Sequence, residues 1–238
     1  MTAIIKAVKL EKTYRDEIET VALRGLDFSI EKGEFISIMG PSGSGKSTLL
    51  HILGFLDRLT GGDYLFEGKS MNDYSDEELA QVRNKKMGFV FQAFNLLPRT
   101  SVLENVKLPL LYSDIKESLW NEMALKAIDS VGMAHRINHE PAHLSGGEKQ
   151  RIAIARALVN NPSVIFADEP TGNLDSKSGG QVMEILEKLH IEGHTIILVT
   201  HETYTAEYAY RLIKIKDGLI EVDQIVKQKH EHQNGFFK

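Results

Sequence analysis

Apolar and polar residues alternate along the first part of the chain, as they do in half-buried β-strands. Residues 4–10 and 22–30 both follow this period of two, which predicts two strands that each present one face to a core. Residues 35–40 are almost continuously apolar and predict a buried central strand. Between residues 46 and 56 the apolar positions recur at helical spacing, so a helix should follow that strand after a glycine-rich turn.

The middle of the chain changes from strands to helices. Residues 63–71 predict a hairpin, residues 76–86 a helix with acidic residues at its start and basic residues at its end, and residues 88–92 a further strand. From residue 93 to residue 161 the strand pattern disappears, and helical segments are separated by proline and glycine. This stretch predicts a helical insertion.

Strands return in the last third. Residues 163–168 and 195–200 are apolar strands separated by a helix at 181–190. Residues 211–222 predict a hairpin with Asp217-Gly218 at its tip, since Asp-Gly is a favoured two-residue turn. The order of elements predicts an α/β fold: a mixed sheet built from strand–loop–helix units and interrupted by the helical insertion.

Composition excludes several classes of protein. The 238 residues carry a net charge of −5, which does not suit a protein that coats nucleic acid. The absence of cysteine excludes disulfides and thiolate chemistry and fits the cytosol. No apolar run approaches the ~18 residues of a membrane span, and the N-terminus lacks the apolar core of a signal peptide. Residues 227–238 are polar and predicted to be disordered.

The glycine-rich turn after the third strand matches the P-loop pattern G-x-x-x-x-G-K-[ST] at residues 40–47. Backbone N–H groups of such a loop converge on phosphate oxygens at the positive end of the following helix. Lys46 should neutralise phosphate charge, and the Ser47 hydroxyl should bind Mg²⁺. The predicted ATP-binding residues of this segment are Gly40, Ser42, Gly43, Ser44, Gly45, Lys46, Ser47 and Thr48. The alternative is a flexible Gly/Ser turn.

Two adjacent carboxylates end the strand at 163–168. Asp168 is predicted to hold Mg²⁺, and Glu169 to polarise the water that attacks the γ-phosphate. His201 follows the strand at 195–200 and should reach the same sheet edge. The alternatives are a strand that emerges into solvent and a histidine with no special role.

A second glycine-rich loop, LSGGE, comprises Leu144, Ser145, Gly146, Gly147 and Glu148. Ser145 and Glu148 form the S-x-x-E pattern of a helix capping box, which is the structural alternative. A capping box does not require two glycines, which weaken a first turn unless something approaches the backbone closely. The loop therefore predicts a second anion site, for the γ-phosphate of ATP held by a neighbouring copy of the chain.

Taken together, these motifs resemble those of ABC-type ATPase subunits: P-loop, Gln92 at a strand end, LSGGE, strand into Asp-Glu, Asn-Leu-Asp at 173–175, and Thr-His at 200–201. The resemblance spans roughly residues 4–222. It implies a P-loop NTPase (RecA-like) core with an antiparallel β subdomain and an inserted α-helical subdomain. Residues 1–226 would form one ATPase domain, with the helical subdomain at about 93–161.

The resemblance also implies roles for single residues. Gln92 would contact Mg²⁺ or water and sense the membrane partner, and Asp175 would bridge two subunits. His201 would touch the γ-phosphate, and Tyr14, in the loop after the first strand, would stack on adenine; ordinary packing is the alternative for Tyr14. The sequence departs from the commoner pattern at Glu148, where glutamine is usual, and at Glu202, where aspartate is usual.

Residues 40–62, 78–98 and 104–112 look like one branch of the family, the ATPases of macrolide-export, lipoprotein-release and division-associated systems. The resemblance implies ATP and Mg²⁺ as cofactors, a second copy of the chain and an integral membrane permease as partners, and a place at the inner face of the cell membrane. The alternatives are a soluble ABC-type ATPase acting on DNA or ribosomes and a P-loop phosphotransferase. No nucleic-acid partner is expected.

Overall fold

A computed structural model describes residues 3–15 and 19–226 of the chain. Its central sheet has six strands in the order β10-β9-β3-β8-β7-β6. Their bounds are β3 Phe35–Met39, β6 Met87–Phe91, β7 Val164–Asp168, β8 Thr195–Thr200, β9 Arg211–Lys216 and β10 Leu219–Ile225. All neighbouring strands are parallel except β9 and β10, which form the predicted hairpin.

The second sheet is antiparallel, with the order β2-β1-β4-β5. It comprises β1 Ala3–Arg15, β2 Glu19–Glu31, β4 Gly61–Phe66 and β5 Lys69–Ser70. β1 extends beyond the predicted 4–10. The prediction stopped short because register shifts after Ala7 and again after Lys12 interrupt the alternation of apolar and polar residues. Tyr14 therefore lies within β1, and its predicted place in a loop after the strand was wrong.

The first two helices, α1 and α2, begin or end at residues whose sequence explains the boundary. α1 spans Lys46–Leu53 and stops short of the predicted Leu56, because Gly54 caps it and Phe55 adopts a left-handed φ of 56°. α2 spans Asp76–Lys86, as predicted, and begins with a capping box between Ser75 and Glu78. It ends at Lys86, and β6 begins at the next residue.

Between β6 and β7 the described chain forms helices and no strand, as predicted. These are α3 Val102–Lys107, α4 Trp120–Ser130 and α5 Gly146–Leu158, joined by short 3₁₀ turns. Buried apolar residues of all three form one core cluster with β7 and β8. The proposed subdomain boundaries at about 93 and 161 stay a prediction.

Two more helices flank β8. α6 spans Ser176–Ile191 and starts earlier than the predicted 181, because Asp175 accepts a hydrogen bond from Ser178 N and caps it. α7 spans Thr203–Ala206. None of the helices among the described residues combines the length and hydrophobicity that crossing a bilayer requires. The predicted disordered tail, residues 227–238, lies outside the described residues.

Candidate functional site

The functional side chains predicted from the sequence lie where parallel strands end. The P-loop follows β3, Asp168 ends β7, and His201 follows β8. β8 pairs in parallel with both other strands, with Met39 opposite Thr200 and Asp168 opposite Val199. Because carboxyl ends of parallel strands share one sheet edge, residues far apart in sequence meet there.

Two positions of the P-loop admit only glycine. A Cβ on Gly40 would lie 2.1 Å from the carbonyl oxygen of Ile215, and one on Gly45 would lie 2.7 Å from that of Ala22. Gly45 also has a φ of +103° and precedes α1 without a side-chain cap. The first N–H groups of α1 are thus not covered by a capping side chain, which suits a phosphate ligand.

Two polar side chains, Lys46 and Ser44, lie inside the loop. The Lys46 ammonium donates to the carbonyl oxygens of Gly40 at 2.8 Å and Pro41 at 2.9 Å, which fixes it within the loop. Ser44 Oγ is buried and has no hydrogen-bond partner among the described residues. A buried hydroxyl in that position fits a loop that receives an anion.

An open cleft of about 790 Å³ lies in front of the loop, within the range of small-molecule sites. Most predicted nucleotide, metal and catalytic residues line it: Tyr14, Ser42, Gly43, Gly45, Lys46, Ser47, Thr48, Gln92, Asp168, Glu169 and His201. Thr20, Val21 and Ala22 also line it and were missed, because no motif marks these residues of β2. The geometry thus unites the P-loop with three strand ends.

Asp168 sits at the buried end of β7 beside the P-loop. Burial raises the pKa of the Asp168 carboxyl, and the Glu169 charge raises it further, while His51 and Lys46 lower it. A carboxylate that is costly to ionise alone is stabilised by a cation. Asp168, the Ser47 hydroxyl and the Gln92 amide are oxygen donors of the kind that Mg²⁺ prefers, so the residues fit that ion.

Glu169 adopts a left-handed φ of 47°, which turns the chain sharply out of β7. Its N–H donates to the Val199 carbonyl at 2.8 Å. One carboxylate oxygen accepts a hydrogen bond from Thr200 Oγ1 at 3.3 Å, and the other lies 2.6 Å from His201 Nδ1. The end of β8 therefore fixes the Glu169 carboxylate.

Gln92 follows β6 and contacts the segment after Glu169. Its Nε2 lies 3.4 Å from Asn173 Oδ1, and Asn173 Nδ2 donates to the Gln92 carbonyl at 3.0 Å. Gly172 allows this approach, since a Cβ there would lie 2.6 Å from Gln92 Nε2. Sequence motifs indicated Gln92 but gave no sign of Gly172 as its packing partner.

Tyr14 faces the cleft with its hydroxyl anchored. The hydroxyl donates to Asp57 Oδ2 at 3.1 Å, and Lys12 Nζ donates to Asp57 Oδ1 at 2.7 Å. Burial raises the pKa of Asp57, but hydrogen bonds from Lys12 and the Arg58 N–H outweigh burial, so that the pKa is lowered. An ionised Asp57 thus orients the aromatic ring.

The LSGGE loop forms the capping box that its sequence indicates. Ser145 Oγ accepts from the Glu148 N–H at 3.3 Å, and the Glu148 carboxylate accepts from the Ser145 N–H at 2.8 Å and from Arg136 at 3.0 Å. The Ser145 hydrogen bond, and then Arg136, lower the pKa of Glu148 despite its burial. None of residues 144–148 lines the cleft of its own chain.

The structure also gives Gly147 a packing role that sequence reasoning missed. A Cβ on Gly147 would lie 2.8 Å from Cβ and Oγ of Ser178. The N-termini of α5 and α6 therefore touch, with Asp175 at the contact, where it accepts from Ser178 N at 2.9 Å and Oγ at 2.8 Å. Close helix packing gives Gly147 a structural reason, whereas the nearest neighbour of a Cβ on Gly146 would be the flexible end of Leu174, at 3.3 Å.

Comparison with known proteins decides the family. Residues 23–172 match the family model described as "ABC transporter". The chain belongs to the ABC transporter family. It is 48% identical over 222 residues to an uncharacterized ABC transporter ATP-binding protein of Thermotoga maritima, covering 93% of this chain and 95% of that protein. The sequence-based assignment to ABC-type ATP-binding subunits is confirmed.

A second group of ABC relatives is longer. The chain is 51% identical over 224 residues to the macrolide export ATP-binding/permease protein MacB of Chlorobium luteolum. This match covers 94% of the chain but 34% of the relative, so the chain spans about a third of such proteins.

Solved ABC cassettes share the fold. The ATP-binding cassette MJ0796, in a dimeric post-hydrolysis state bound to ADP and Pi, superposes with a TM-score of 0.85 at 43% identity. The match covers 94% of this chain and 99% of the cassette. The predicted P-loop NTPase fold is confirmed, and membership of this family removes the small-molecule phosphotransferase alternative.

Proposed function

We propose that the chain hydrolyses ATP at this cleft and uses the reaction to drive a membrane permease. One observation carries the proposal: the P-loop, Asp168 and a Glu169 carboxylate fixed by Thr200 and His201 line one cleft. The MJ0796 cassette, with the same fold and 43% identity, is described with ADP and Pi bound.

Each residue has a defined task in hydrolysis. Lys46 and the N–H groups of the P-loop bind phosphate oxygens. Ser47, Asp168 and Gln92 would hold Mg²⁺, which supplies positive charge to the phosphates when bound. Glu169 accepts a proton from the attacking water, and His201 holds the Glu169 carboxylate and reaches the γ-phosphate. The ring of Tyr14 stacks on the base.

The LSGGE loop completes the site of a second copy. It carries a helix N-terminus and a serine hydroxyl but lies outside the cleft of its own chain. A head-to-tail pair would place each loop on the γ-phosphate bound by the other copy, with Asp175 beside the loop at the subunit boundary. The MJ0796 cassette, which shares the fold, is described as dimeric, and this supports the pairing of two copies.

An apolar groove of about 570 Å³ is the proposed docking site for a cytoplasmic segment of the permease. It lies between β6 and the 3₁₀ turn at Leu108–Tyr112, and its lining includes Leu56, Phe89, Phe91 and Tyr112. Leu56 is 46% exposed and Tyr112 79% exposed, so the groove margin is apolar and accessible. Phe91 connects the groove to Gln92, which lines the ATP cleft.

The names of the relatives support a permease as the partner. The MacB relatives are named as ATP-binding and permease protein in one chain, so an ATPase of this sequence type works with a permease. We assign this chain to the same branch of export, lipoprotein-release or mechanotransmission systems. It would then lie in the cytoplasm, at the inner face of the membrane, held there by its partner.

Sedimentation of the Glu169→Gln variant with and without ATP tests the proposal. Loss of the water-polarising group should slow hydrolysis by ~10²-fold or more while ATP binding persists, so that an ATP-dependent dimer accumulates. Adding Ser145→Arg should abolish the dimer, whereas Ser75→Arg, in the equivalent capping box of α2, should leave it intact. Near-normal turnover of Glu169→Gln would overturn the catalytic assignment.

Membrane association is tested separately. Co-expressed with its permease, the chain should sediment with membranes, and Tyr112→Glu should release it without changing ATP binding. Lys149→Glu, on α5 and away from the groove, is the charge control. Retention of the Tyr112→Glu variant would exclude this groove, and a wild-type chain that never associates with membranes would favour the soluble ABC-type alternative.

A further inference from the structure

Gln150 is a fully buried side chain of α5 that joins two strand ends. Its Nε2 donates to the carbonyl oxygen of Pro170 at 2.9 Å and to that of Phe91 at 3.3 Å. Its Oε1 is buried and has no hydrogen-bond partner among the described residues. The Gln150 side chain thus leaves one oxygen of its own unsatisfied while its nitrogen serves two backbone carbonyls, so its hydrogen bonding is directed at these two strand ends.

The two acceptors flank the proposed machinery. Phe91 immediately precedes Gln92, and Pro170 immediately follows Glu169. The amide nitrogen of Gln150 therefore connects the carboxyl ends of β6 and β7 at the residues next to the Mg²⁺ ligand and the water-polarising carboxylate. It does so from a position five residues after Ser145, the N-cap of the LSGGE helix.

α5 lies against β6 too tightly to slide independently. A Cβ on Gly88 would lie 2.6 Å from the Ala157 carbonyl oxygen. The preceding residue of the same helix, Arg156, donates to the Phe94 carbonyl at 2.9 Å. A displacement of α5 is therefore transmitted to the end of β6 by packing as well as by Gln150.

The segment after β7 is held to α5 by a hydrogen bond to its backbone, whereas β6 packs closely against α5. Pro170 has no N–H, and the left-handed φ of Glu169 takes the chain out of the sheet before Pro170. Gln150 reaches the Pro170 carbonyl at a buried position. Gln150 is thus a direct hydrogen-bond contact between α5 and the backbone next to Glu169.

We propose that Gln150 is a positioning residue that keeps the Gln92 and Glu169 segments in register with the LSGGE helix. The inference rests on the proposed ATPase function. When the LSGGE helix is seated on a partner's nucleotide, Gln150 sets the separation between the two strand ends that flank the attacking water. Gln150 itself touches neither nucleotide nor metal.

The test is Gln150→Met, which keeps the volume and removes the donor. Misplacement of Glu169 should lower kcat by ~10²-fold, because reacting groups tolerate little displacement. KM and the dissociation constant for ATP should stay within about twofold, because the P-loop is untouched. Gln150→Asn, whose side chain is one methylene shorter, should give a kcat between those of the wild type and Gln150→Met. It replaces Gln150→Met in the test if that variant does not fold.

Asn105 supplies the matched control. It is also a fully buried amide, and its Nδ2 donates to Thr100 Oγ1 at 2.8 Å and to the Ser101 carbonyl at 3.0 Å, away from the cleft. Asn105→Leu should lower the melting temperature but leave kcat per folded molecule unchanged. If Gln150→Met lowers kcat no more than Asn105→Leu, the positioning role is wrong.

Amide hydrogen exchange of the same variants gives a readout that does not depend on turnover. Gln150→Met should speed exchange in peptides covering 91–95 and 170–174 together and leave the P-loop peptide unchanged. Faster exchange in neither segment, or in only one, would overturn the proposal. Absence of ATPase activity in the wild-type chain would instead count against the proposed function, with the exchange result still deciding the role of Gln150.

Discussion

His201 Nδ1 lies 2.6 Å from Oε1 of Glu169, although the two residues are 32 positions apart in the sequence. The Glu169 side chain is 15% exposed, whereas the His201 side chain is 64% exposed and faces the cleft. The imidazole therefore covers a carboxylate that is otherwise enclosed at the end of β7. This contact makes the orientation of the proposed water-polarising group depend on the neighbouring strand.

Replacing His201 with alanine should free the Glu169 carboxylate to rotate, and it removes the group that we propose to reach the γ-phosphate. We expect kcat to fall by ~10²-fold with little change in ATP affinity, because the P-loop is unaffected. Steady-state ATPase kinetics and equilibrium ATP binding measure the two effects. His194→Ala, which alters a histidine at the opposite end of β8, is the control and should leave kcat unchanged; equal losses in both variants would refute the specific role.

Replacing Asp168 with asparagine should stabilise the nucleotide-free protein at neutral pH. Burial, then the Glu169 charge, raise the pKa of Asp168, so its ionised form disfavours the folded state. The gain in melting temperature should shrink as the pH falls through the raised folded-state pKa, because the wild-type carboxyl is then protonated. Melting curves across pH measure this, and a loss of stability at neutral pH would contradict it.

The control for that experiment is Asp175→Asn. Hydrogen bonds from Ser178 lower the pKa of Asp175, so its ionised form favours the folded state. The asparagine variant should therefore show no gain at neutral pH. The stabilisation by the Asp175 charge should be lost as the pH falls through its lowered folded-state pKa, the opposite sign to Asp168.

We expect substitutions of Tyr14 to weaken ATP binding to different degrees. Tyr14→Ala should raise the dissociation constant for ATP by about tenfold, since stacking of a base on an aromatic ring contributes ~1–3 kcal/mol. Tyr14→Phe keeps the ring and loses only the hydrogen bond to Asp57, so its effect should be smaller. Equilibrium binding of ATP distinguishes them, and unchanged affinity in Tyr14→Ala would assign the ring to packing.

Gly147→Ala should destabilise the protein through the contact between α5 and α6. The new methyl group would lie 2.8 Å from Ser178 Cβ, and overpacking of this kind costs about 1–3 kcal/mol of unfolding free energy. Chemical denaturation measures the loss. Adding Ser178→Gly, which removes the opposing Cβ, should restore part of it, while Gly146→Ala alone should cost less because its neighbour is a flexible leucine end.

Several features of the fold followed from local sequence. Central strands 35–40, 163–168 and 195–200 were predicted within two residues because fully buried parallel strands are continuously apolar. The capping box at Ser145 and the Asp217-Gly218 turn were also indicated by the sequence, because each depends on residues that are close to one another in the chain. The extension of β1 was missed, since register shifts break the alternation on which the prediction relied.

The residues of the site likewise fall into those that a local motif indicated and those that it did not. Motif spacing alone identified the P-loop, the Asp168-Glu169 pair and His201, because each motif encodes its chemistry within a few residues. Lys12, His51 and Asp57 carry no motif and were missed, since their roles arise from contacts across the fold. Pattern reasoning predicted a ligand at Gly147, which stays a prediction, and it missed the close neighbour of this residue, Ser178.

By itself, the sequence determined the order of strands and helices, the phosphate-binding chemistry and the family, because these depend on residue types at short separations. Only the tertiary structure decided which side chains meet: His201 on Glu169, Asp57 on Tyr14, and Gln150 between Phe91 and Pro170. These contacts join residues 20 to 59 positions apart, because parallel strand ends and helix faces pack together. No local pattern records that packing, because it depends on the register and burial of the whole sheet.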